Sequence, residues 1–338
     1  MKKEKEYFKF IGNVRDSISP YIISKISPSY LSEPRGLYRN KSLHIIKPRS
    51  TKEVSECLRL ATKYKIGVVP WSGGTGLVGG QIASDKYHVT LSMEKMNKIS
   101  NFSAVNQSVE VESGVILEAI HEFVGKKSLL FPLSMASKGS CCIGGNLATN
   151  AGGIGVLKYG NARDLCLGLE VVLADGSVID DIKTLKKDNT GYDLKNLFIG
   201  SEGSLGIITR AVLRLFPAPQ NRIVTFFGVP NFNSALKSYM EISSRFGQFL
   251  QAFELISDEG LKFLEETNMV QSAVQTNRSK WYVLVELGFN TNSVEREVYE
   301  TLDDLYKRKI ILDVILGDTE TKARKLWKMR EDIPEANK

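Results

Sequence analysis

The apolar positions of the chain change spacing from one stretch to the next, and the spacing distinguishes strands from helices. Residues 43–70, LHIIKPRSTKEVSECLRLATKYKIGVVP, predict a strand, a turn, a helix and a second strand. Ser50 or Thr51 can cap that helix, with Glu53 in its first turn. The same stretch therefore supplies both the periodicity of a helix and its start signal.

Further elements follow a glycine-rich loop. Residues 87–93, YHVTLSM, predict a strand, and residues 108–127, SVEVESGVILEAIHEFVGKK, predict a strand, a glycine and a helix. Residues 131–160 combine small and turn-forming residues with little periodicity. A long irregular stretch is unusual in a compact domain unless it covers something, so this segment is expected to line a site.

A hairpin and a proline pair close the first part of the chain. Residues 169–179, LEVVLADGSVI, predict a hairpin with Asp175 and Gly176 as a two-residue turn. Residues 190–220 predict a helix, a glycine turn and a strand that ends at Pro217 and Pro219. This proline pair is the predicted domain boundary.

Strands and helices alternate beyond the boundary, which predicts a small α+β domain. The predicted strands are RIVTFFGV, LQAFELI, KWYVLVELGF and IILDVILG, and the predicted helices span 234–246, 258–267, 294–309 and 319–336. The predicted organisation is an N-terminal helical segment at 1–37, a larger domain at 38–219 and this smaller domain at 220–338.

Composition and charge narrow the classes of function. The net charge of +7 is spread along the chain without a dense basic cluster, which disfavours nucleic-acid binding but favours anionic ligands. No apolar run is long enough to span a bilayer, and the N-terminus lacks the features of a secretory signal, so a cytoplasmic protein is expected. The four cysteines and three histidines show no metal-ligand spacing and form no nucleophilic triad, so no metal is expected.

The glycine-rich loop VVPWSGGTGLVGGQ at residues 68–81 raises the main chemical question. Gly74 to Gly79 matches G-x-G-x-x-G, but a strand rather than a helix follows, which disfavours a Rossmann nucleotide site. The loop is either a wide turn or a nest of backbone N–H groups that binds an anion, with the Ser72 and Thr75 hydroxyls as added donors. Further glycine clusters near positions 144, 152 and 203 favour one large polar ligand, such as a dinucleotide with a tricyclic ring.

Four quoted motifs carry a family resemblance: PWSGGTGLVGGQ, PLSMASKGSCCIGGNLATNAGG, GLEVVLADGSVI and KDNTGYDLKNLFIGSEGSLGIITRAVL. Together and in this order they resemble the PCMH-type FAD-binding domain of the vanillyl-alcohol oxidase class, and most of all its D-2-hydroxyglutarate, D-lactate and glycolate dehydrogenase branch. The likeness covers residues 38–338. It implies an α+β fold: a two-subdomain PCMH-type FAD-binding domain, then an α+β cap domain for substrate, truncated at its C-terminus.

The resemblance also implies where FAD binds. The loop at 72–76 would wrap the pyrophosphate, segments 132–145 and 146–153 would line adenine, ribose and flavin, and 202–208 would complete the pocket through its backbone. Because the loop contains no histidine, FAD is expected to be held noncovalently. The cofactor residues predicted on this basis are Ser72, Gly73, Gly74, Thr75, Gly76, Gly80, Pro132, Leu133, Gly139, Ser140, Gly144, Gly145, Asn146, Thr149, Asn150, Gly152, Gly153, Glu202, Gly203, Ile207 and Ile208.

The second domain contains one predicted substrate residue. Trp327 and Arg330 in ARKLWKMREDIPEA are three apart and share a helix face; a packed Trp beside a solvated Arg is the alternative. By resemblance, Arg330 binds the substrate carboxylate, while Pro334 stands where related dehydrogenases carry a threonine. The family's histidine and metal motif has no counterpart here, so no catalytic residue is assigned.

Two functions remain open on these grounds. The chain is either an FAD-dependent D-2-hydroxy acid dehydrogenase, poorly active alone, or a non-catalytic FAD-binding subunit that needs a partner chain with the missing segment. A flavin reductase that uses NADPH is a third reading, which LWKMRE disfavours. Implied partners are a small 2-hydroxy acid and an electron acceptor such as an electron-transfer flavoprotein.

Overall fold

The computed structural model describes residues 2–270, 278–291 and 293–337. These fall into two compact units. The first comprises the described residues of Met1–Leu133, Ser137–Gly152 and Asn161–Pro217, and the second those of Ser134–Ala136, Gly153–Gly160 and Ala218–Lys338.

The helices and strands are as follows. The α-helices are α1 (Lys2–Ser17), α2 (Thr51–Tyr64), α3 (Leu117–Gly125), α4 (Ile143–Ala148), α5 (Val156–Tyr159), α6 (Lys195–Phe198), α7 (Phe232–Phe246), α8 (Asp258–Glu266), α9 (Ser293–Lys307) and α10 (Glu320–Ala336). The strands are β1 (Ile23–Lys25), β2 (His44–Ile46), β3 (Val68–Trp71), β4 (Val89–Ser92), β5 (Ile99–Ser103), β6 (Ser108–Glu112), β7 (Leu129–Leu130), β8 (Cys166–Val172), β9 (Val178–Asp181), β10 (Ile207–Arg214), β11 (Phe216–Pro217), β12 (Asn221–Val229), β13 (Leu250–Ser257), β14 (Trp281–Phe289) and β15 (Val314–Gly317).

The N-terminal part of the first unit is built on a small mixed sheet of order β1-β2-β4-β3. Helix α1 buries Tyr7, Phe10 and Val14 on one face, in a core shared with α2. The predicted start of α2 is confirmed: Ser50 accepts the backbone N–H of Glu53, and the Glu53 carboxylate accepts that of Arg49. The Ser50 hydroxyl satisfies a backbone donor that a helix start leaves open, and Glu53 fixes the residue that precedes the cap.

An antiparallel sheet of order β5-β6-β10-β8-β9 forms the rest of the first unit. The predicted hairpin is present as β8 and β9, but the predicted two-residue turn is wrong. Gly176 N–H bonds to Leu173 C=O and Leu173 N–H bonds to Ser177 C=O, so the loop has three residues, Ala174 to Gly176. Gly176, at φ +89°, takes the left-handed position that follows a tight turn in such loops.

The irregular stretch at 131–160 is more ordered than its sequence predicts. It contains the short helices α4 and α5. Its glycines lower helix propensity and interrupt any apolar stripe, so the periodicity carries no helical signal there. Both helices lie in a stretch that the sequence pattern predicts to be irregular.

The second unit is a four-stranded antiparallel sheet of order β13-β14-β12-β15 with helices packed against it. All four predicted strands and all four predicted helices are present. One sheet face packs on α7 and α9 through residues such as Phe227 and Val285, and the other on α8 and α10 through Phe226 and Leu284. Among the described residues, no helix is long and apolar enough to cross a membrane.

Candidate cofactor site

The glycine-rich loop follows β3 and leads through irregular chain to β4, as predicted, with no helix after it. Its first residue ties it to a second predicted segment. The Ser72 hydroxyl accepts the backbone N–H of Gly145 at 3.0 Å and donates to the Cys142 carbonyl at 3.4 Å. The structure thus brings the loop at 72–76 against the start of α4.

Gly73 and Gly74, the first two glycines of the loop, are required by close contacts within the protein. A Cβ on Gly73 would lie 2.2 Å from the Ser140 carbonyl oxygen and 2.7 Å from Cys141 Cα. Gly74 has φ +69°, and a Cβ there would lie 2.6 Å from the Trp71 ring. The sequence interpretation, that these glycines clear space for a ligand, is therefore incomplete, because they also allow chain segments to pack closely.

The turn at 200–206 joins the same assembly. Glu202 donates its backbone N–H to the Ala148 carbonyl at 2.9 Å. A Cβ on Gly203, which has φ +78°, would lie 2.6 Å from Pro70 at the end of β3, and one on Gly80 would lie 3.3 Å from the Glu202 carboxylate. Three of the predicted segments therefore converge within the first unit.

A cavity of about 700 Å³ lies beside the loop. Of the predicted cofactor residues, Ser72, Gly73, Gly74 and Ser140 line it. The rest of its wall comes from residues that sequence reasoning did not single out: Ser29, Tyr30, Ser32, Glu33, Pro34, Trp71, Glu94, Asn97, Ile99, Gly114, Val115, Ile116, Ala119 and Cys142. The glycine-rich loop opens into this cavity, and the size of the cavity fits a large cofactor such as FAD.

Two carboxylates give the cavity its polarity. Glu33 is buried and accepts the backbone N–H groups of Arg35, Leu37 and Tyr38. Burial opposes ionisation, but these three donors outweigh it and hold the pKa of Glu33 below its usual value. No local motif marks this residue in the sequence.

Glu94 is the second carboxylate of the wall. It accepts the Tyr30 hydroxyl and the Lys47 ammonium, the latter at 3.1 Å. Burial alone would raise the pKa of Glu94, but these two partners keep it below its usual value. Tyr30 also packs edge-on against Trp71, with ring centroids 5.1 Å apart. The hydrogen-bonded residues Tyr30 and Glu94 therefore belong to the same wall of the cavity as the glycine-rich loop.

Other predicted residues lie near the junction without lining the cavity. Thr75 is half-buried in the loop, and Gly76 accepts the Gln81 side-chain amide through its carbonyl at 2.8 Å. The Thr149 hydroxyl donates to the Gly145 carbonyl at 2.9 Å, which closes the end of α4.

The remaining predicted residues are mostly buried or turn positions. A Cβ on Gly144 would lie 2.5 Å from Ser113, and Asn150, at φ +47°, accepts the Arg163 backbone N–H. Pro132, Leu133, Ile207 and Ile208 are buried in strands or loops and Asn146 is buried in α4, whereas Gly139 and Gly152 are more open. Gly153 belongs to the second unit, where a Cβ would lie 2.0 Å from the Ser134 carbonyl oxygen.

The predicted substrate arginine lies on α10 of the second unit and is ion-paired. Arg330 Nε donates to Glu254 Oε2 at 2.7 Å. One turn earlier, Trp327 Nε1 donates to Glu286 Oε2 at 2.5 Å. Burial raises the pKa of Glu286, although the Arg222 charge and the indole oppose this. Neither the substrate-binding interpretation of the Trp–Arg pair nor the alternative, a packed Trp beside a solvated Arg, predicted that Glu254 and Glu286 are the partners.

Two of the three histidines make structural contacts. His121 Nε2 lies 2.9 Å from the Leu133 carbonyl, and His44 Nδ1 lies 3.0 Å from the Tyr7 hydroxyl. Burial lowers the pKa of both imidazoles. Within residues 2–270, 278–291 and 293–337, no group of three His, Cys, Asp or Glu side chains is placed to hold a metal ion.

Comparison with known proteins assigns these two parts of the chain. Residues 42–181 match the FAD binding domain family, and residues 218–338 match the C-terminal domain of FAD linked oxidases. The prediction of FAD as cofactor is confirmed by the first of these matches.

Several curated proteins resemble most of the chain. A putative mitochondrial D-lactate dehydrogenase of Schizosaccharomyces pombe is 40% identical over 88% of this chain and 56% of its own length. Mitochondrial D-2-hydroxyglutarate dehydrogenase of Bos taurus is 39% identical over 88% of this chain and 54% of its own length. The chain therefore spans about half the length of these relatives.

Solved structures share the fold at low sequence identity. An alkyldihydroxyacetonephosphate synthase matches 97% of this chain and 63% of its own, with a TM-score of 0.76 and 20% identity. p-Cresol methylhydroxylase matches 95% of this chain and 69% of its own, with a TM-score of 0.75 and 17% identity. The chain belongs to the FAD-linked oxidases, with a PCMH-type FAD-binding domain and the family's C-terminal domain.

Proposed function

We propose that the chain is the flavin-binding part of an FAD-dependent dehydrogenase that oxidises a D-2-hydroxy acid to the 2-oxo acid. The observation that carries this proposal is the similarity to D-lactate and D-2-hydroxyglutarate dehydrogenases over 88% of the chain. The contact of Arg330 with Glu254 also supports it, because that contact uses Nε and is compatible with a carboxylate at the other two nitrogens.

The backbone of the first unit is proposed to hold the cofactor. N–H groups of the loop at 72–76 suit an anionic pyrophosphate, and the cavity beside them has room for a nucleotide. Bound FAD would supply a two-electron acceptor for the hydride that leaves C2 of the substrate. Because the loop offers no histidine for a covalent link, attachment is proposed to be noncovalent.

Arg330 is proposed to bind the substrate carboxylate. Its contact with Glu254 uses Nε, and within the described part of the chain its two terminal nitrogens make no hydrogen bond. Those two donors match the two oxygens of a carboxylate. A 2-hydroxy acid would then be oriented by its carboxylate.

Removal of the hydroxyl proton has no assigned residue in this chain. His44 and His121 are each engaged by a structural partner. The second candidate function is an FAD-binding subunit that takes the proton acceptor from a partner chain. In either case electrons are proposed to leave through an acceptor such as an electron-transfer flavoprotein.

Anaerobic mixing tests the dehydrogenase proposal. The FAD-loaded chain is mixed with D-2-hydroxyglutarate, D-lactate and glycolate, and the flavin absorbance is followed. A general base contributes about 10²–10⁴-fold to rate, so the chain is expected to bind these acids but to bleach slowly. Rapid bleaching would show that a proton acceptor lies within the chain, whereas no spectral response to any acid would contradict the dehydrogenase proposal.

The variant Arg330→Lys tests the substrate residue. Lysine keeps the charge but loses the planar pair of donors, so acid binding should weaken roughly ten- to a hundred-fold. Flavin content should not change, because Arg330 belongs to the second unit and the cavity residues to the first. Unchanged acid binding would return Arg330 to a purely structural role.

The cellular location is also part of the proposal. The sequence predicts the cytoplasm, whereas the relatives from Schizosaccharomyces pombe and Bos taurus are named mitochondrial proteins. Cell fractionation with an antibody against this chain distinguishes the two compartments.

A further inference from the structure

We infer that Glu254 is a positioning residue that orients the Arg330 guanidinium for binding a substrate carboxylate. This inference rests on the proposed function of Arg330 and adds a specific partner to it. It begins from the way in which helix α10 is attached to the sheet of the second unit.

Two neighbouring strands hold two successive turns of α10. Glu254 on β13 accepts Arg330, and Glu286 on β14 accepts Trp327. Strands β13 and β14 pair directly, with Glu254 opposite Leu284 and Glu286 opposite Ala252. The two carboxylates therefore lie on the same face of the sheet, close to each other. They hold α10 at two of its residues, Trp327 and Arg330.

The apolar core beneath α10 makes this arrangement rigid. Leu326 and Trp327 are buried in the cluster that includes Phe226 and Leu284. Arg330 and Glu254 are only partly exposed, with side-chain exposures of 33% and 23%. A partly buried, charge-assisted hydrogen bond orients its donor more firmly than a fully exposed ion pair does.

The nitrogen that Arg330 uses to bond Glu254 determines which of its nitrogens remain available to a substrate. Glu254 accepts the hydrogen bond of Nε, so the guanidinium group is held at the nitrogen nearest to the side-chain methylenes. The outer edge, with Nη1 and Nη2, has no hydrogen-bond partner among the described residues. That edge presents two parallel donors, the arrangement that binds a carboxylate bidentately. Glu254 thus leaves the carboxylate-binding edge open rather than occupying it.

The test compares the wild-type chain loaded with FAD with Glu254→Ala and Glu254→Gln. The probe is D-2-hydroxyglutarate, with D-lactate and glycolate in parallel, and the measurement is the change in flavin absorbance on anaerobic titration. Glu254→Ala is expected to raise the dissociation constant about tenfold, because an arginine that is no longer held in place must be immobilised when the acid binds. Glu254→Gln keeps an oxygen that accepts from Nε, so most of the affinity should return.

A matched control and a double variant separate positioning from general stability. Glu241→Ala removes the carboxylate that pairs with Arg308 in the same unit, at 2.7 Å, and should leave acid binding unchanged. In the Arg330→Lys background, Glu254→Ala should add no further loss, because the guanidinium that it orients is absent.

Each outcome decides the inference. Equal or tighter acid binding by Glu254→Ala would overturn it, as would a loss that persists in the Arg330→Lys background. If Arg330→Lys weakens binding but Glu254→Ala does not, only the positioning role fails. If no acid perturbs the wild-type flavin, the proposed function fails, and the inference fails with it.

Discussion

Ser72 Oγ lies 3.0 Å from the backbone nitrogen of Gly145 and accepts its hydrogen bond. One residue belongs to the glycine-rich loop and the other to helix α4, 73 positions later in the chain. The contact requires that Gly145 have no side chain, because a Cβ there would lie 2.7 Å from Ser72 Oγ. The loop and the helix therefore pack closely against each other, and Ser72 and Cys142 of this junction line the cavity of about 700 Å³.

Replacement of Ser72 by alanine should loosen this junction. The Gly145 N–H would lose its acceptor, which is expected to lower the free energy of unfolding by about 1–3 kcal/mol. FAD affinity should fall as well, because the loop loses its attachment to α4. Chemical denaturation and fluorescence titration with FAD measure the two effects. Ser177→Ala, at the exposed tip of the β8–β9 hairpin, is the control, and equal behaviour of both variants would contradict the prediction.

Two glycine-to-alanine changes should shift stability in opposite directions. Gly73→Ala forces a Cβ against the backbone of Ser140 and Cys141, and such overpacking is expected to cost about 1–3 kcal/mol. Gly12→Ala adds a methyl in open space inside α1, where alanine is favoured over glycine by roughly 0.5–1 kcal/mol. Thermal unfolding of both variants checks the signs. A tolerated alanine at position 73 would contradict the described approach of the two segments.

Arg210 should be a major source of stability in the five-stranded sheet. Its guanidinium pairs with Glu170 at 2.6 Å and with Glu110 at 2.7 Å, and both carboxylates are buried. Arg210→Met leaves these charges without their cation, which is expected to cost about 3 kcal/mol at neutral pH. Arg296→Met, which removes an ion pair on the surface of α9, should change stability far less.

The same network predicts a pH dependence. Burial would raise the pKa of Glu170, but Arg210, Thr209 and Thr51 outweigh it and keep the pKa below its usual value. Its contribution to stability is therefore fully present above about pH 4.3, the value for unfolded chains, and is lost as the pH falls through the lower folded value. Without Arg210, burial raises the pKa of Glu170, so the stability gap between wild type and Arg210→Met should begin to narrow above about pH 4.3 and should narrow further below it. A constant gap from pH 7 to pH 3.5 in urea unfolding would contradict this.

Much of the fold could be predicted because local and tertiary signals agree. The strands and helices of the second unit follow clear alternation and helical spacing, and Ser50 with Glu53 marks the start of α2. The turn between β8 and β9 could not be assigned from Asp175 and Gly176, because a two-residue turn and a three-residue loop with a glycine bulge share that signal. Helix α4 has no such signal, since contacts of Gly144 and Gly145 with Ser113 and Ser72 determine its position.

The candidate site could be predicted only where a contiguous motif carries it. The loop at 72–76 and the glycine segments are visible as sequence patterns. Glu33 and Glu94 are not. Glu33 bonds to backbone N–H groups of the turn that follows it, which no side-chain pattern marks, and the partners of Glu94 come from separate segments that only the fold brings together. The same holds for Glu254 and Arg330, which are 76 residues apart.

Flavin stoichiometry after acid precipitation tests whether this chain holds FAD noncovalently in its first unit. The purified chain is saturated with FAD, freed of excess cofactor and precipitated with acid, and flavin is measured in supernatant and pellet. We expect one FAD per chain, all of it in the supernatant, and a large loss of retained flavin in Gly73→Ala. A colourless chain that cannot be reconstituted, or flavin that stays with the pellet, would contradict it.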